Sequence, residues 1–356
     1  MNTEKNTGSS SFRNKLICFI AALILAVLTI YAVINGSGVS AAGLISGIKT
    51  ASLPFLCGAF LCMLGFIFFE GAALTVLSRG LGFSARYRRG IVYAAADIYF
   101  SAITPSASGG QPASAFFMIC DGIPGTAVMA ALLLNLIMYT LAVITVGLFA
   151  ILLFPGIFLH FSLIGRIFIF IGVLTLIGLT LLFLLLLRNQ RLLQKIACGA
   201  SAFLDALHFH SAAKKLRNKL EHILEEYEAC VTLVLGKRTM LLQVYLLNLL
   251  QRISQLLITV FTFSAIHGDP AKLAKLFATQ IYVVLGSNSM PLPGGMGVTD
   301  YLMLNGYLEL MTREQAYQLE LLGRGLSFYL CMILSMIIVG FGYLMQKKNK
   351  WRKGKK

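Results

Sequence analysis

The side chains best suited to chemistry stand where they are most expensive to keep. Glu70, Asp97, Arg252, Asp300 and Arg324 lie inside runs that are otherwise apolar, and ionisable groups at such positions face a wet cavity or a partner. Arg252 shares one helical face with Asn248, Gln251 and Gln255. A guanidinium grips a phosphate bidentately, and the expectation is that Arg324, together with the Pro112 half-helix, holds the phosphate. Asp300, joined by Asp97, suits a cationic head group. Asp300 can equally pair with Arg324 and lock two helices together, and the sequence leaves both roles open for these residues. Glu70 and Arg166 read as structural, Arg166 lying near enough to a run end to reach the surface.

Two breaks interrupt apolar stretches elsewhere. The first is Thr104-Pro105-Ser106-Ala107-Ser108-Gly109-Gly110-Gln111-Pro112, and the second is Met290-Pro291-Leu292-Pro293-Gly294-Gly295-Met296-Gly297. Pro112 suits the first turn of a short helix, Gly109 and Gly110 permit close backbone approach, and Thr104, Ser106 and Ser108 add hydroxyls. Pro293, Gly294, Gly295 and Gly297 supply a matching bend in the second break. Irregular backbone at membrane depth survives only when buried in protein or lining a cavity. Paired breaks therefore point to a substrate path, with helix N-termini turned toward an anionic group. Tight turns between packed helices are the plainer alternative.

The elements that position these residues follow from composition. Of 356 residues 58% are apolar and 12% charged, whereas a soluble domain carries about 25% charge. A soluble enzyme, a secreted disulfide scaffold and a disordered chain are thereby excluded. Six runs are long enough to cross a hydrocarbon core: Leu16 to Ile34, Leu53 to Leu77, Ala127 to Phe154, Phe161 to Leu187, Met240 to Ile266 and Leu321 to Met345. The first of them reads as a retained signal-anchor helix, too long for a cleaved h-region. The arms flanking the breaks, Ile91 to Ile103 with Ala113 to Cys120 and Leu273 to Ser287 with Val298 to Leu310, are each too short to span.

Of the 30 Lys and Arg residues, 23 fall in four stretches, at 1–15, 78–90, 188–238 and 346–356. The positive-inside rule assigns all four to the cytoplasm, which requires each broken region to return to the side it came from. The expectation is an all-α polytopic membrane protein of six full transmembrane helices plus two re-entrant helical hairpins, at 91–120 and 273–310, in an inverted repeat. Its parts are a cytoplasmic N-terminus (1–15), a first membrane repeat (16–154), a second (161–345) and a basic cytoplasmic tail (346–356). Gly110 and Gly295 stand 185 residues apart, close to the spacing of the runs that precede the breaks. In the linker at 188–238, Leu216, Leu220, Leu224 and Tyr227 form a stripe that lies on an anionic leaflet or packs under the bundle.

Several chemistries find no support. The seven cysteines form no CxxC or disulfide framework. His208 and His210 have no ligand set around them, so no metal is expected. Leu235-Gly236-Lys237-Arg238-Thr239 lacks the upstream glycine of a phosphate-binding loop. No cofactor and no nucleic-acid partner are expected.

Thr104-Pro105 through Gly109-Gly110-Gln111-Pro112, Asp121-Gly122-Ile123, Pro291-Leu292-Pro293-Gly294-Gly295-Met296-Gly297 with Asp300, and the segment from Arg324 to Tyr329 together resemble the membrane part of the lysylphosphatidylglycerol synthase family, also called the flippase-like domain family. The resemblance covers nearly the whole chain. It implies movement of a polar or aminoacylated phospholipid between leaflets of a bacterial plasma membrane, with both termini cytoplasmic. The chain ends eleven residues past the last apolar run, so the soluble aminoacyl-transfer domain of bifunctional members is expected to be absent. The family more often has Glu where this chain has Asp300, and Phe or Arg where it has Ser106. Expected partners are the phospholipid itself, anionic lipids, a separate lipid-modifying transferase and a second copy of the chain. The alternatives are a membrane component of an aminoacyl-phospholipid synthase and a secondary transporter of a small polar solute.

Overall fold

The computed structural model describes residues 51–104, 107–188, 226–227, 229–288 and 297–353. Every regular element among them is helical. In chain order these are α1 (Leu53–Gly80), α2 (Tyr87–Ile103), α3 (Gly110–Cys120), α4 (Gly125–Leu153), α5 (Pro155–His160), α6 (Leu163–Arg188), α7 (Arg238–Ala265), α8 (Leu273–Ser287), α9 (Val298–Tyr307), α10 (Arg313–Arg324) and α11 (Cys331–Lys353). A π-helical segment, Gly325–Leu330, joins α10 to α11.

Among the described residues five helices are long and apolar enough to cross a membrane: Leu53–Gly80, Gly125–Leu153, Leu163–Leu187, Arg238–Ala265 and Arg313–Gln346. They coincide with five of the six runs. The remaining run, Leu16 to Ile34, lies outside the described residues, as do Leu216, Leu220 and Leu224 of the linker stripe. Tyr227, the described member of that stripe, is buried against Ala130 and Val231. Burial pushes its phenol up to about 12, and it packs under the bundle. The outer surface of α6 shows Leu163, Ile164, Ile167, Phe170 and Leu174 exposed, a face suited to acyl chains.

α2 with α3, and α8 with α9, form two packed pairs of short helices. At 1.5 Å per residue α2 is about 25 Å long and α3, α8 and α9 are shorter, below the roughly 30 Å of a hydrocarbon core. Both ends of the α2–α3 pair lie together: Arg89 in the first turn of α2 is 3.3 Å from Asp121 just past α3. Gln346 of α11 also donates to Asp121, at 2.9 Å. Lys237 donates to Gly80 O at the end of α1, at 2.6 Å. Three of the four basic stretches thus meet at one end of the bundle, as the charge pattern requires. At the opposite end Ser52 N donates to Ala265 O at 2.8 Å, so α1 and α7 run antiparallel along their length.

Glycine sets how closely the short helices approach the long ones. A Cβ on Gly90 of α2 would lie 2.2 Å from Gly71 O of α1, and one on Gly172 of α6 would lie 1.9 Å from Leu285 O of α8. Both crossings are backbone on backbone, the contact small residues allow between helices in lipid.

Two boundaries differ from the sequence expectation. α3 begins at Gly110 rather than Ala113, because Pro112 fits a first helical turn whose N–H groups need no partner. The last crossing begins at Arg313 rather than Leu321, with Thr312 accepting from Gln315 N as its cap. Glu314, Gln315, Gln318 and Glu320 lower the hydropathy of those turns, so a window scan starts too late. Arg324 consequently sits three turns into the helix instead of one. Residues 105–106 and 289–296 of the two breaks lie outside the described residues.

Gly90→Leu is expected to lower the thermal midpoint of the purified protein, an overpacking cost of about 1–3 kcal/mol. Gly125→Ala, where a Cβ meets open space, should leave it unchanged. Differential scanning fluorimetry of both variants in detergent measures the contrast, and equal midpoints would rule out the proposed tight crossing.

Candidate functional site

The first cluster forms at the break between α2 and α3. Thr104 Oγ1 donates to Phe100 O at 2.6 Å and accepts from Gly109 N at 2.9 Å. Asp97, one turn and a half before the end of α2, accepts from Ser101 Oγ at 3.2 Å and from Gln111 Nε2 at 3.0 Å. A Cβ on Gly110 would lie 1.9 Å from Asp97 Oδ1. Of the two glycines expected to let a ligand approach, Gly110 lets Asp97 approach and Gly109 lets Thr104 approach. Ser108 and Pro112 are exposed.

Behind Asp97 stands Glu70 of α1, 7% exposed. Its carboxyl group lies near Asp97 and Arg252, and Gln251 Nε2 of α7 donates to Glu70 Oε2 at 3.0 Å. The next residue, Arg252, is 4% exposed. Its Nη1 donates to Gln255 and its guanidinium lies over the Tyr139 ring of α4, 4.5 Å from the centroid. Asn248 Nδ2 donates to Asn135 Oδ1 at 3.1 Å. The single polar face expected on α7 is present, and it is buried.

Arg252 Nε has no hydrogen-bond partner among the described residues. It borders a closely packed seam between α4, α7 and α8, too narrow for a water molecule and otherwise lined by Val143, Val146, Leu256, Ile281, Val284 and Leu285. An uncompensated buried donor costs about 1–3 kcal/mol, more when charged, so a guanidinium held this way is primed for an acceptor.

The second cluster lies past the second break. Gly297, at φ +78° in the region that favours glycine, turns its N–H to Asp300 Oδ2 at 2.9 Å. Asp300 Oδ1 is 2.7 Å from Arg324 Nε. That contact is a charge pairing outside hydrogen-bond alignment. Arg324 also lies over the Phe328 ring, 5.0 Å from the centroid, in the π-helical segment, a motif frequent at functional sites. The helix-locking pairing of Asp300 with Arg324 is thus realised. Tyr307 OH donates to Gln280 Oε1 at 2.6 Å and lies beside Thr259 of α7.

α7 connects the clusters. Asn248, Gln251, Arg252, Gln255 and Thr259 recur at helical spacing and run about 16 Å along one face. Asp97 and Arg252 thereby meet through Glu70, while Asp300, Arg324 and Gly297 gather at the far end. Ser106, Pro293, Gly294 and Gly295 lie outside the described residues. Arg166 donates to Phe161 O and Leu159 O, each at 2.7 Å, an anchor at the start of α6. Sequence reasoning missed Glu320, which is 7% exposed and lies near Asp300 and Arg324, and it set Glu70 aside. The signal for Glu320 was its seat one turn before Arg324, hidden by the late helix start.

Removing one partner of a buried pair costs about 3–5 kcal/mol, whereas an apolar replacement of both is often neutral. Arg324→Met is therefore expected to lower the thermal midpoint, and Arg324→Met with Asp300→Leu to recover most of the loss. Failure of the double variant to recover would show that Arg324 serves something other than Asp300.

No curated protein sequence matches the chain significantly. The family described as lysylphosphatidylglycerol synthase TM region matches residues 18–335, a span that contains both clusters, both breaks and all of α7. With most of its length matched and its apolar helices packed as a bundle, the protein is a multi-pass membrane protein and belongs to the lysylphosphatidylglycerol synthase TM region family.

Proposed function

We propose that the protein is a lipid translocase of the plasma membrane, moving a polar or aminoacylated phospholipid between leaflets. The observation that carries this reading is Arg252, a buried guanidinium with an unshared N–H beside an apolar seam. A cation among methyl groups matches a lipid: where α4, α7 and α8 part, its phosphate takes the N–H while its chains meet Val143, Val146, Leu256 and Ile281. A small polar solute finds one polar contact in such a wall and six apolar ones, so the solute-transporter alternative is weaker.

In this reading α2–α3 and α8–α9 are re-entrant hairpins of an inverted repeat, entering from opposite faces. Support comes from their lengths, from the shared end of Arg89 and Asp121, and from the antiparallel α1 and α7 that precede them, each of 28 residues. Gly109 and Gly297 precede α3 and α9 as their caps. Both termini face the cytoplasm, where the basic stretches attract anionic lipid. Phosphate passes Arg252, and the polar face of α7 carries the head group between the clusters.

The family description also favours a second reading, a membrane component of aminoacyl-phospholipid synthesis working with a separate transferase. Purified protein in vesicles, with fluorescent phosphatidylglycerol and lysylphosphatidylglycerol as probes and a leaflet-selective quencher as readout, separates the two. The translocase reading expects leaflet exchange that falls at least tenfold in Arg252→Met, about 1.4 kcal/mol of lost phosphate binding. No exchange in the unaltered protein, together with lost lysyl-lipid synthesis in a deletion strain, favours the second reading.

A further inference from the structure

Two tyrosines carry the hydrogen bonds that cross between α4 and α8 among the described residues. Tyr282 OH of α8 donates to Ala150 O and Phe154 O at the end of α4, each at 3.3 Å. Tyr139 OH of α4 donates to Asn288 Oδ1, just past the last turn of α8, at 3.1 Å. Between them runs the seam that Val143 and Val146 line from α4, and Ile281, Val284 and Leu285 from α8. Its packing is close enough that a Cβ on Gly147 would lie 2.9 Å from Leu285 Cδ2. Tyr282 is buried at its end of the seam, whereas Asn288 is exposed at the other.

These hydrogen bonds hold more of the seam than its area suggests. Lipid tails are as apolar as leucine, so methyl groups that leave a neighbouring helix for an acyl chain lose no hydrophobic contact. The phenol and amide at the exposed end exchange one defined bond for water or a head group. Such a neutral bond contributes a factor of about two to ten to an equilibrium. The Tyr282 end is thus the fixed end, and the Asn288 end is the one that opens readily.

Tyr139 also governs the cation beside the seam. Its ring lies against the Arg252 guanidinium, 4.5 Å from Cζ to the centroid, and Gln255 takes Nη1. With one face and one N–H engaged, Arg252 Nε remains unshared at the border of the seam. The seam is too narrow for a water molecule, so a phosphate entering from it reaches Nε only after α4 and α8 separate. One side chain therefore both orients the guanidinium and bonds across the opening that leads to it.

We propose that Tyr139 is a positioning residue that gates this site: its hydroxyl latches the end of α8 to α4, and its ring presents Arg252 to the phosphate that enters when the latch opens. The entry of a phosphate rests on the translocase reading, whereas the latch does not.

Full-length protein in vesicles tests both parts. Leu285→Cys places a thiol at a seam position that is 2% exposed, and mass spectrometry of N-ethylmaleimide labelling at that position reports opening. In that background Tyr139→Phe and Asn288→Ala are each expected to speed labelling about two- to tenfold, and the double variant no further. Labelling unchanged in both single variants, or effects that multiply in the double variant, overturns the latch. Without the added cysteine, leaflet exchange of fluorescent phosphatidylglycerol is expected to quicken in Tyr139→Phe, which keeps the ring, and to fall in Tyr139→Leu, which loses it. Equal exchange in these two variants overturns the positioning role of the ring, and exchange unchanged in Tyr139→Phe overturns the gate. Faster labelling with no lipid exchange even in the unaltered protein keeps the latch and overturns the translocase reading.

Discussion

A charge in a low-dielectric interior must be matched, and the polar face of α7 is where this protein confronts that demand. Asn248, Gln251, Arg252, Gln255 and Thr259 face inward on a helix whose surroundings are otherwise apolar. Asn248 and Arg252 meet Asn135 and Tyr139 of α4, Gln251 meets Glu70 of α1 and Thr259 lies beside Tyr307 of α9, whereas Gln255 accepts from Arg252 on α7 itself. In lipid, helices gain nothing from hiding methyl groups from one another, and polar contacts supplement packing as the adhesive. The face of α7 therefore organises the bundle as well as any transport path. Because an unsatisfied partner there costs about as much as a helix contact gains, the neighbours of α7 are held in one arrangement.

Glycine makes that arrangement reachable. Gly71 with Gly90, and Gly172 with Gly286, bring the first arm of each short pair onto a long helix at backbone distance. Closer approach shortens the reach from α1 and α2 to α7, which is how Glu70 and Asp97 come near each other although they lie on different helices. At the break itself Gly110 serves the same end, since any side chain there would displace Asp97. The conformational freedom of glycine matters at Gly297, where the backbone turns with positive φ to offer its N–H to Asp300.

Much of this was legible in the sequence, and the physical reason is the strength of the hydrophobic signal. A run of twenty apolar residues has few competing explanations, so α1, α4, α6 and α7 fall within a few residues of expectation. The clustering of Lys and Arg led to the expectation that each short pair returns to its own side; in the structure the two ends of the first pair lie together, with Arg89 beside Asp121. The misjudged features share a cause. Hydropathy averages over a window, so the amphipathic start of α10 was lost and Glu320 with it. Pairing depends on which faces meet, which no single helix reveals: Glu70 looked structural in isolation, yet it accepts from Gln251 of α7, next to Arg252. The π-helical turn at Gly325–Leu330 left no mark in periodicity, although its residues carried part of the family resemblance.

The two buried arginines illustrate how partners decide roles. Arg324 faces Asp300 with Glu320 close by, so its charge is already opposed. A phosphate at Arg324 would have to displace Asp300, which would keep only the Gly297 N–H and would sit beside a second carboxyl group. Desolvating a carboxylate costs several kcal/mol, comparable with what the guanidinium gains from the phosphate, so exchange at that site is close to break-even. Arg252 has no such competitor within hydrogen-bond reach: Gln255 offers a neutral carbonyl, Tyr139 a ring face, and Nε nothing. The charge of Glu70 lies near, yet it is occupied by Gln251. An incoming anion therefore meets at Arg252 a cation whose desolvation is already complete and whose hydrogen bonds are incomplete. Arg324 and Asp300 join α10 to the start of α9, while Arg252 keeps the hydrogen-bonding capacity that the proposed lipid would use.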